Sequence, residues 1–206
     1  MPIIVAVCGK RGHGKSTLAD YLVKTHQFTE LTLAGPLKRA CQEIFGFTDM
    51  QVHDARCKEQ VDSFWKVTPR EVLQKVGTEL FRDQLPKLFP TMSQIWIQSL
   101  MRQLSALPDG ARVVITDVRF PDEFRALHNL GALMVRVVRP DYVPKGDACS
   151  SALAAAAQHP SETALDDVRL FTPDVLLMND STVDHLVETA ERLLPCRFQK
   201  VVVLCK

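Results

Sequence analysis

The sequence predicts an α/β fold in which a parallel β-sheet is flanked by helices in three layers. Three observations carry that prediction. Short apolar runs bounded by glycine alternate along the chain with amphipathic stretches at helical spacing. The first run, "PIIVAVC", leads directly into "GKRGHGKS", the glycine spacing of a phosphate-binding loop set between a strand and a helix. The 206 residues, 46% of them hydrophobic, are enough to bury one full core.

Each element has its own warrant. "PIIVAVC" is continuously apolar, as a strand buried on both faces must be. "KSTLADYLVKTH" follows as a helix with Leu18, Leu22 and Val23 on one face, and "ELTLA" is a short strand. "GPLKRACQEIFG" is a helix with Pro36 near its first position and Gly46 as its stop. From Gly46 to Lys66 the pattern weakens to a loop holding at most one short helix.

"TPREVLQKVGTELFRDQL" is a helix: Thr68 and Glu71 make a capping box, Pro69 sits in the first turn, and Val72, Val76, Leu80 and Phe81 share a face. Thr91 and Gln94 cap another helix running to about Leu107. "RVVIT" is a strand ending at Asp117, "PDEFRALHNLG" a helix stopped by Gly131, "ALMVRVV" and "DVLLMN" two further strands, and "TVDHLVETAERLL" the closing helix. Residues 139–163 form a long stretch of small residues with proline at each end, which reads as a lid-like insertion. The terminal "FQKVVVLCK" reads as an edge strand or a tail. Neither repeats nor linkers interrupt residues 1–206, so a single domain is expected.

Composition excludes several functions. Lys+Arg of 25 against Asp+Glu of 24 leaves no basic excess, so a nucleic acid polymer is not the expected partner. The six cysteines show no CxxC pair and no zinc spacing, which reads as reduced thiols in a cytoplasmic compartment. No apolar run approaches the ~20 residues of a spanning helix, so no membrane partner is expected. The sequence does not set the oligomeric state, and a homodimer is compatible with it.

The loop carries the strongest chemistry. Gly9, Gly12 and Gly14 let backbone N–H groups converge on phosphate oxygens, with Lys10, Arg11, His13 and Thr17 completing an ATP-binding stretch. Lys15 neutralises the β- and γ-phosphates, and Ser16 offers a hydroxyl to Mg²⁺. His13 contributes its backbone N–H rather than acid–base chemistry.

Neither the NKxD nor the DxxG of a switch GTPase is present, and the chain lacks the length of a motor or transporter ATPase. A small-molecule kinase is left as the favoured class. Such an enzyme needs a carboxylate for the metal and arginines at strand ends, and "VVITDVRF" supplies Asp117 and Arg119. Asp117 reads as a metal ligand, directly or through water, ahead of the plainer alternative that a strand-end Asp caps the following loop. Arg82 and Arg125 read as surface ion-pair partners, Arg136 as structural, and Trp65 and Trp96 as buried aromatics.

"GKRGHGKSTLAD", "LAGPLKRACQEIFG", "TPREVLQKVGTELFRD", "VVITDVRFPDEFRALHNLGALMVRVVRP", "SETALDD" and "NDSTVDHLVE" occur in this order. Together they resemble the phage- and virus-type deoxynucleoside monophosphate kinases over nearly the whole chain. The resemblance implies a P-loop kinase fold with an ATP core, a helical segment over about 36–107 that binds the monophosphate, and a lid over about 139–163. The implied reaction is ATP + dNMP giving ADP + dNDP with Mg²⁺.

By the same resemblance, Lys38, Arg70 and Gln74 line the acceptor site, with Gln74 a candidate for reading the base. Arg119 clamps phosphate, Arg139 lies over the adenine or in the lid hinge, and Asn179 contacts the adenine edge. The chain departs from the resemblance at Ser16, where many relatives carry Asp, and in its long alanine-rich insertion. A kinase of another small phosphate, such as phosphomevalonate, shares the loop, "GPLK" and strand-end "DxR" features. A non-catalytic nucleotide-binding module is the remaining alternative.

Overall fold

The computed structural model describes residues 2–140, 159–167 and 169–198. Most of the expected lid insertion, the tail beyond residue 198, and Cys149 and Cys205 lie outside the described residues. The chain divides into two compact units, one made of Met1–Thr32 with Gln103–Lys206, the other of Leu33–Arg102.

The first unit is built on five parallel strands: β1 (Ile3–Cys8), β2 (Thr29–Leu31), β3 (Arg112–Val118), β4 (Leu133–Val138) and β5 (Val175–Met178), in the order β2-β3-β1-β4-β5. The apolar strand β1 is central because both of its edges are paired, Val5 standing beside Val114 on one side and Leu133 on the other. Helix α1 (Lys15–His26) and the helix over Val183–Leu193 cover one face. There Leu18, Leu22, Leu186 and Ala190 pack on Val5, Val7, Val114, Val135 and Val137. A fully buried leucine contributes about 1.5–3 kcal/mol, so this layer supplies much of the stability.

Val23, expected on the buried face of α1, is exposed; Ala19 and Tyr21 take its place beside Leu18 and Leu22. β2 covers Thr29–Leu31 and so begins one residue before the expected "ELTLA". The strand expected to end at Asp117 runs one residue further, to Val118. Among the described residues Arg125 makes no ion pair; its guanidinium stands 5.4 Å from the centroid of the Phe171 ring.

The second unit is helical. Gly35–Phe45 forms a helix with Pro36 in its first turn, and Gly46 closes it in the left-handed conformation. Asp49–His53 is the short helix within the weakly patterned stretch, entered through a capping box of Thr48 and Gln51. Pro69–Gln74 begins the long helix, and the Thr68 hydroxyl accepts from Glu71 N–H as expected. The return arm of the expected box is missing, because the Glu71 carboxylate is held by Lys75 Nζ at 2.8 Å.

From Lys75 to Gln84 the helix widens to π geometry, which the periodicity could not reveal. The wide turns bring Gly77 against the helix Gly35–Phe45, where a Cβ would lie 2.6 Å from Leu37 Cδ2. Arg82 lies in this segment with its Nε out of solvent. Pro86 follows, and it has no N–H with which to continue the ladder. Thr91 falls in a 3₁₀ turn over Pro90–Met92, so the next helix is Ile95–Ser105 rather than one capped at Thr91.

Candidate active site

The glycine loop leaves β1 at Cys8 and enters α1 at Lys15. Two close approaches require glycine. Gly9 has φ +141°, and a Cβ there would run into the backbone carbonyl of Val137 on the neighbouring strand. Gly14 has φ +104°, and its Cβ would lie 2.6 Å from Asn179 Nδ2. The His13 N–H donates to Lys10 O at 3.3 Å, closing the turn between them. The Lys15 ammonium donates to Gly9 O at 2.7 Å and to Lys10 O at 2.8 Å, so the loop curls around its own lysine.

Asn179, just past β5, is buried and donates through Nδ2 to His13 O at 2.9 Å; its own N–H donates to Val138 O at 2.7 Å. That bond sets its amide nitrogen behind the loop as a support. Arg139 lies at the exit of β4, with its N–H 3.3 Å from His13 Nδ1.

A cavity of about 290 Å³ opens at the carboxyl ends of β1, β3 and β4. Gly9, Lys10, His13, Arg119, Arg136 and Asp166 are among its walls. Arg119 is held by its backbone: the buried carboxylate of Glu123 accepts from Arg119 N–H at 2.9 Å and Phe120 N–H at 3.0 Å. Lys10 Nζ pairs with Asp166 at 2.9 Å across the mouth.

Two of these walls escaped sequence reasoning. Arg136 read as structural, yet it lines the cavity; the signal was a charge in an otherwise apolar strand. Asp166 carried only its place in "SETALDD". Cys8, fully buried beneath the loop, has its thiol pKa pushed up by burial, with the Arg136 guanidinium opposing that shift.

His13 is held below the usual imidazole value of about 6.5, first by burial and then by the charges of Lys15, Lys10 and Arg139, against a raising contact with Val137 O. With its proton on Nδ1 the ring donates to Val137 O at 3.3 Å; with the proton on Nε2, Nδ1 accepts from Arg139 N–H. A depressed folded pKa means that the unfolded chain binds the proton first as pH falls. The stability His13 adds is therefore present above about pH 6.5 and is lost as pH drops through the folded value. An NMR titration should place the His13 midpoint below 6.5; a midpoint at or above it would contradict this account.

Ser16 is exposed in the first turn of α1, and Asp117 is the half-buried penultimate residue of β3. Among the described residues, no three His, Cys, Asp or Glu side chains cluster as a cage for a metal. One hydroxyl and one carboxylate suit a hard cation that takes its other ligands from phosphate and water, as Mg²⁺ does.

The remaining expected residues lie in the second unit. Lys38 Nζ is 3.5 Å from His53 Nδ1. Arg70, largely buried, makes a short charged bond through Nε to Glu59. Gln74 ends the α-helical segment that Pro69 begins, four residues after Arg70 and just before the π segment. Trp65 donates to Phe45 O at 2.8 Å and stays partly exposed, whereas the half-buried Trp96 donates to Gly77 O at 3.1 Å.

A parallel sheet in the order 2-3-1-4-5, with a glycine loop at the carboxyl end of its central strand and an arginine at the end of the next, defines a P-loop kinase. The fold is shared with the dephospho-CoA kinase of Campylobacter jejuni, at a TM-score of 0.53 and 14% identity over 97% of this chain and 99% of that one. A mimivirus protein named as a deoxynucleotide monophosphate kinase (Acanthamoeba polyphaga mimivirus) is 33% identical over 193 residues, 89% of this chain and 91% of its own length. The deoxynucleoside-5'-monophosphate kinase of Escherichia phage T5 is 32% identical over 99 residues, 48% of this chain and 35% of its own. No family model matches the chain. The protein belongs to the deoxynucleotide monophosphate kinase family of viruses and phages.

Proposed function

We propose that the protein transfers the γ-phosphoryl group of ATP to the 5′-phosphate of a deoxynucleoside monophosphate, giving ADP and the diphosphate. Similarity over 89% of the chain to a relative bearing that name carries the reading. Supporting it, the glycine loop closes around Lys15 as a polyphosphate site would require, and Lys10 and Arg119 line the adjoining cavity.

In the step itself, an oxygen of the acceptor phosphate forms the new O–P bond as the bond to the β–γ bridging oxygen breaks, and the electron pair leaves with ADP. No strong general base is needed, because a phosphate monoester is mostly dianionic near neutral pH. Lys15 neutralises charge on the β- and γ-phosphates, and Arg119, fixed by the Glu123 carboxylate, clamps the group in transit. Ser16 and Asp117 would hold Mg²⁺, which when bound supplies charge neutralisation on the phosphates. Gly9 to Thr17 would form the donor loop, and Arg139, just past β4, would serve the adenine or the lid hinge.

Asn179 acts through the loop it supports, its amide nitrogen being committed to His13 O. Lys38, Arg70 and Gln74 serve the acceptor, with Glu59 orienting the Arg70 guanidinium. Residues 139–163 act as the lid, and lid closure would exclude water and so suppress ATP hydrolysis.

No helix among the described residues is long and apolar enough to cross a membrane. We place the enzyme in the cytoplasm, that of the host where the gene is viral, acting on free nucleotides rather than on a nucleic acid polymer or a membrane. A homodimer is compatible with this role.

A coupled assay of ADP release tests the reaction with ATP and each of dTMP, dGMP, dCMP, dAMP, their ribo forms and phosphomevalonate. At least one deoxynucleotide should raise release about 100-fold over ATP alone, a modest share of the acceleration typical of enzymes. Silence with every nucleotide would sink the proposal, and stimulation by phosphomevalonate alone would replace it.

A further inference from the structure

The steps above leave one buried charge unused. Arg136 is 8% exposed, in a β4 strand whose other residues are Leu, Met and Val. Strand alternation puts it on the face opposite Val135 and Val137, which pack against α1, and its side chain lines the cavity beside Gly9, Lys10 and Arg119. One end is fixed: Nη2 donates to the carbonyl oxygen of Leu165. Among the described residues the buried Nε has no hydrogen-bond partner. Asp166, the acidic wall of the cavity, is engaged by Lys10, and among the described residues no carboxylate forms an ion pair with Arg136.

A buried guanidinium without a counter-anion is costly, since burial removes its hydration and the bond to Leu165 O replaces only part of it. That cost is offset when an anion enters the cavity. The planar Nε edge of an arginine matches two oxygens of a phosphate, where a lysine would offer only a point charge. We propose that Arg136 is a phosphate-binding residue, taking an oxygen of a bound nucleotide's phosphate through its Nε edge while Leu165 O holds the other end. The assignment of that phosphate to a nucleotide rests on the kinase reading; the anion site itself rests on the cavity.

The test is Arg136→Met, read by thermal unfolding with and without inorganic phosphate or tripolyphosphate, and by steady-state kinetics. Exchanging a buried charge for an apolar chain of similar size should leave the ligand-free Tm within about 2 °C of wild type or raise it. The rise in Tm that tripolyphosphate gives wild type should fall by more than half, and kcat/KM should drop by about 100-fold. A larger KM for ATP assigns the contact to the donor, and a larger KM for the monophosphate assigns it to the acceptor.

A variant that keeps the full tripolyphosphate shift overturns the proposal, whatever its ligand-free Tm. If the Met variant does not fold, Arg136→Lys preserves the charge without the fork. It should lose about tenfold in kcat/KM at unchanged Tm, and wild-type kinetics there would likewise overturn the proposal. An Arg136-dependent tripolyphosphate shift in a protein that phosphorylates no nucleotide would reject the kinase reading and leave the anion site standing.

Discussion

Lys15→Ala should lower kcat/KM by about 10³-fold or more while the protein stays folded. A single preorganised donor at a developing charge is worth about 10²–10³ in rate, and Lys15 brings a full positive charge as well. Its ammonium is already held at the centre of the loop by Gly9 O at 2.7 Å and Lys10 O at 2.8 Å, so little reorganisation is needed when phosphate arrives. Removing it also strips those two carbonyls of a partner, at a cost of about 1 kcal/mol each. Tm should therefore fall by only a few degrees. Lys15→Arg should not restore activity, because the planar fork cannot occupy the space of a compact ammonium. Measured kcat/KM within tenfold of wild type for the alanine variant would remove Lys15 from the mechanism.

Gly9→Ala should damage both stability and turnover, for a reason local to one methyl group. The left-handed φ of +141° strains any L side chain, and the added Cβ meets the Val137 carbonyl, which β4 cannot withdraw without breaking its register with β1. Strain of this kind costs about 1–3 kcal/mol, or roughly 2–12 °C in Tm for a chain of this size. Turnover should fall about 100-fold, since displacement of the phosphate-bearing backbone by about 1 Å is enough for that. Gly110→Ala makes the control: its φ is +76° but nothing lies within 4 Å of the new Cβ. It should carry the backbone cost alone and leave kcat unchanged. Equal kinetic damage in both variants would show that the contact with Val137 is not what Gly9 avoids.

Much of this architecture was legible beforehand. The strand, loop and helix around Lys15 are encoded within 24 consecutive residues by apolar run, glycine spacing and helical periodicity. Pro36 and Gly46 likewise bound their helix from within it. Where reading failed locally, a neighbour had intervened. Val23 yielded the core to Ala19 and Tyr21, and Glu71 turned from its cap to Lys75. The wide turns of Lys75–Gln84 were not legible, because the apolar positions Val76, Leu80 and Phe81 fit α spacing and nothing local marks the wider ladder.

The site divides along the same line. The sequence by itself determined that a glycine loop of the phosphate-binding type stands at the end of β1, because glycine spacing, a lysine and a helix start are all local properties. Only the tertiary structure decided which charges share the cavity. Lys10 meets Asp166 across 156 positions of chain, Asn179 reaches His13 across 166, and Arg136 comes to the loop only through the β1–β4 pairing that sets Cys8 beside it. Contacts at such separations depend on strand order and register, and a shift of one residue in β4 would turn Arg136 to the opposite face of the sheet.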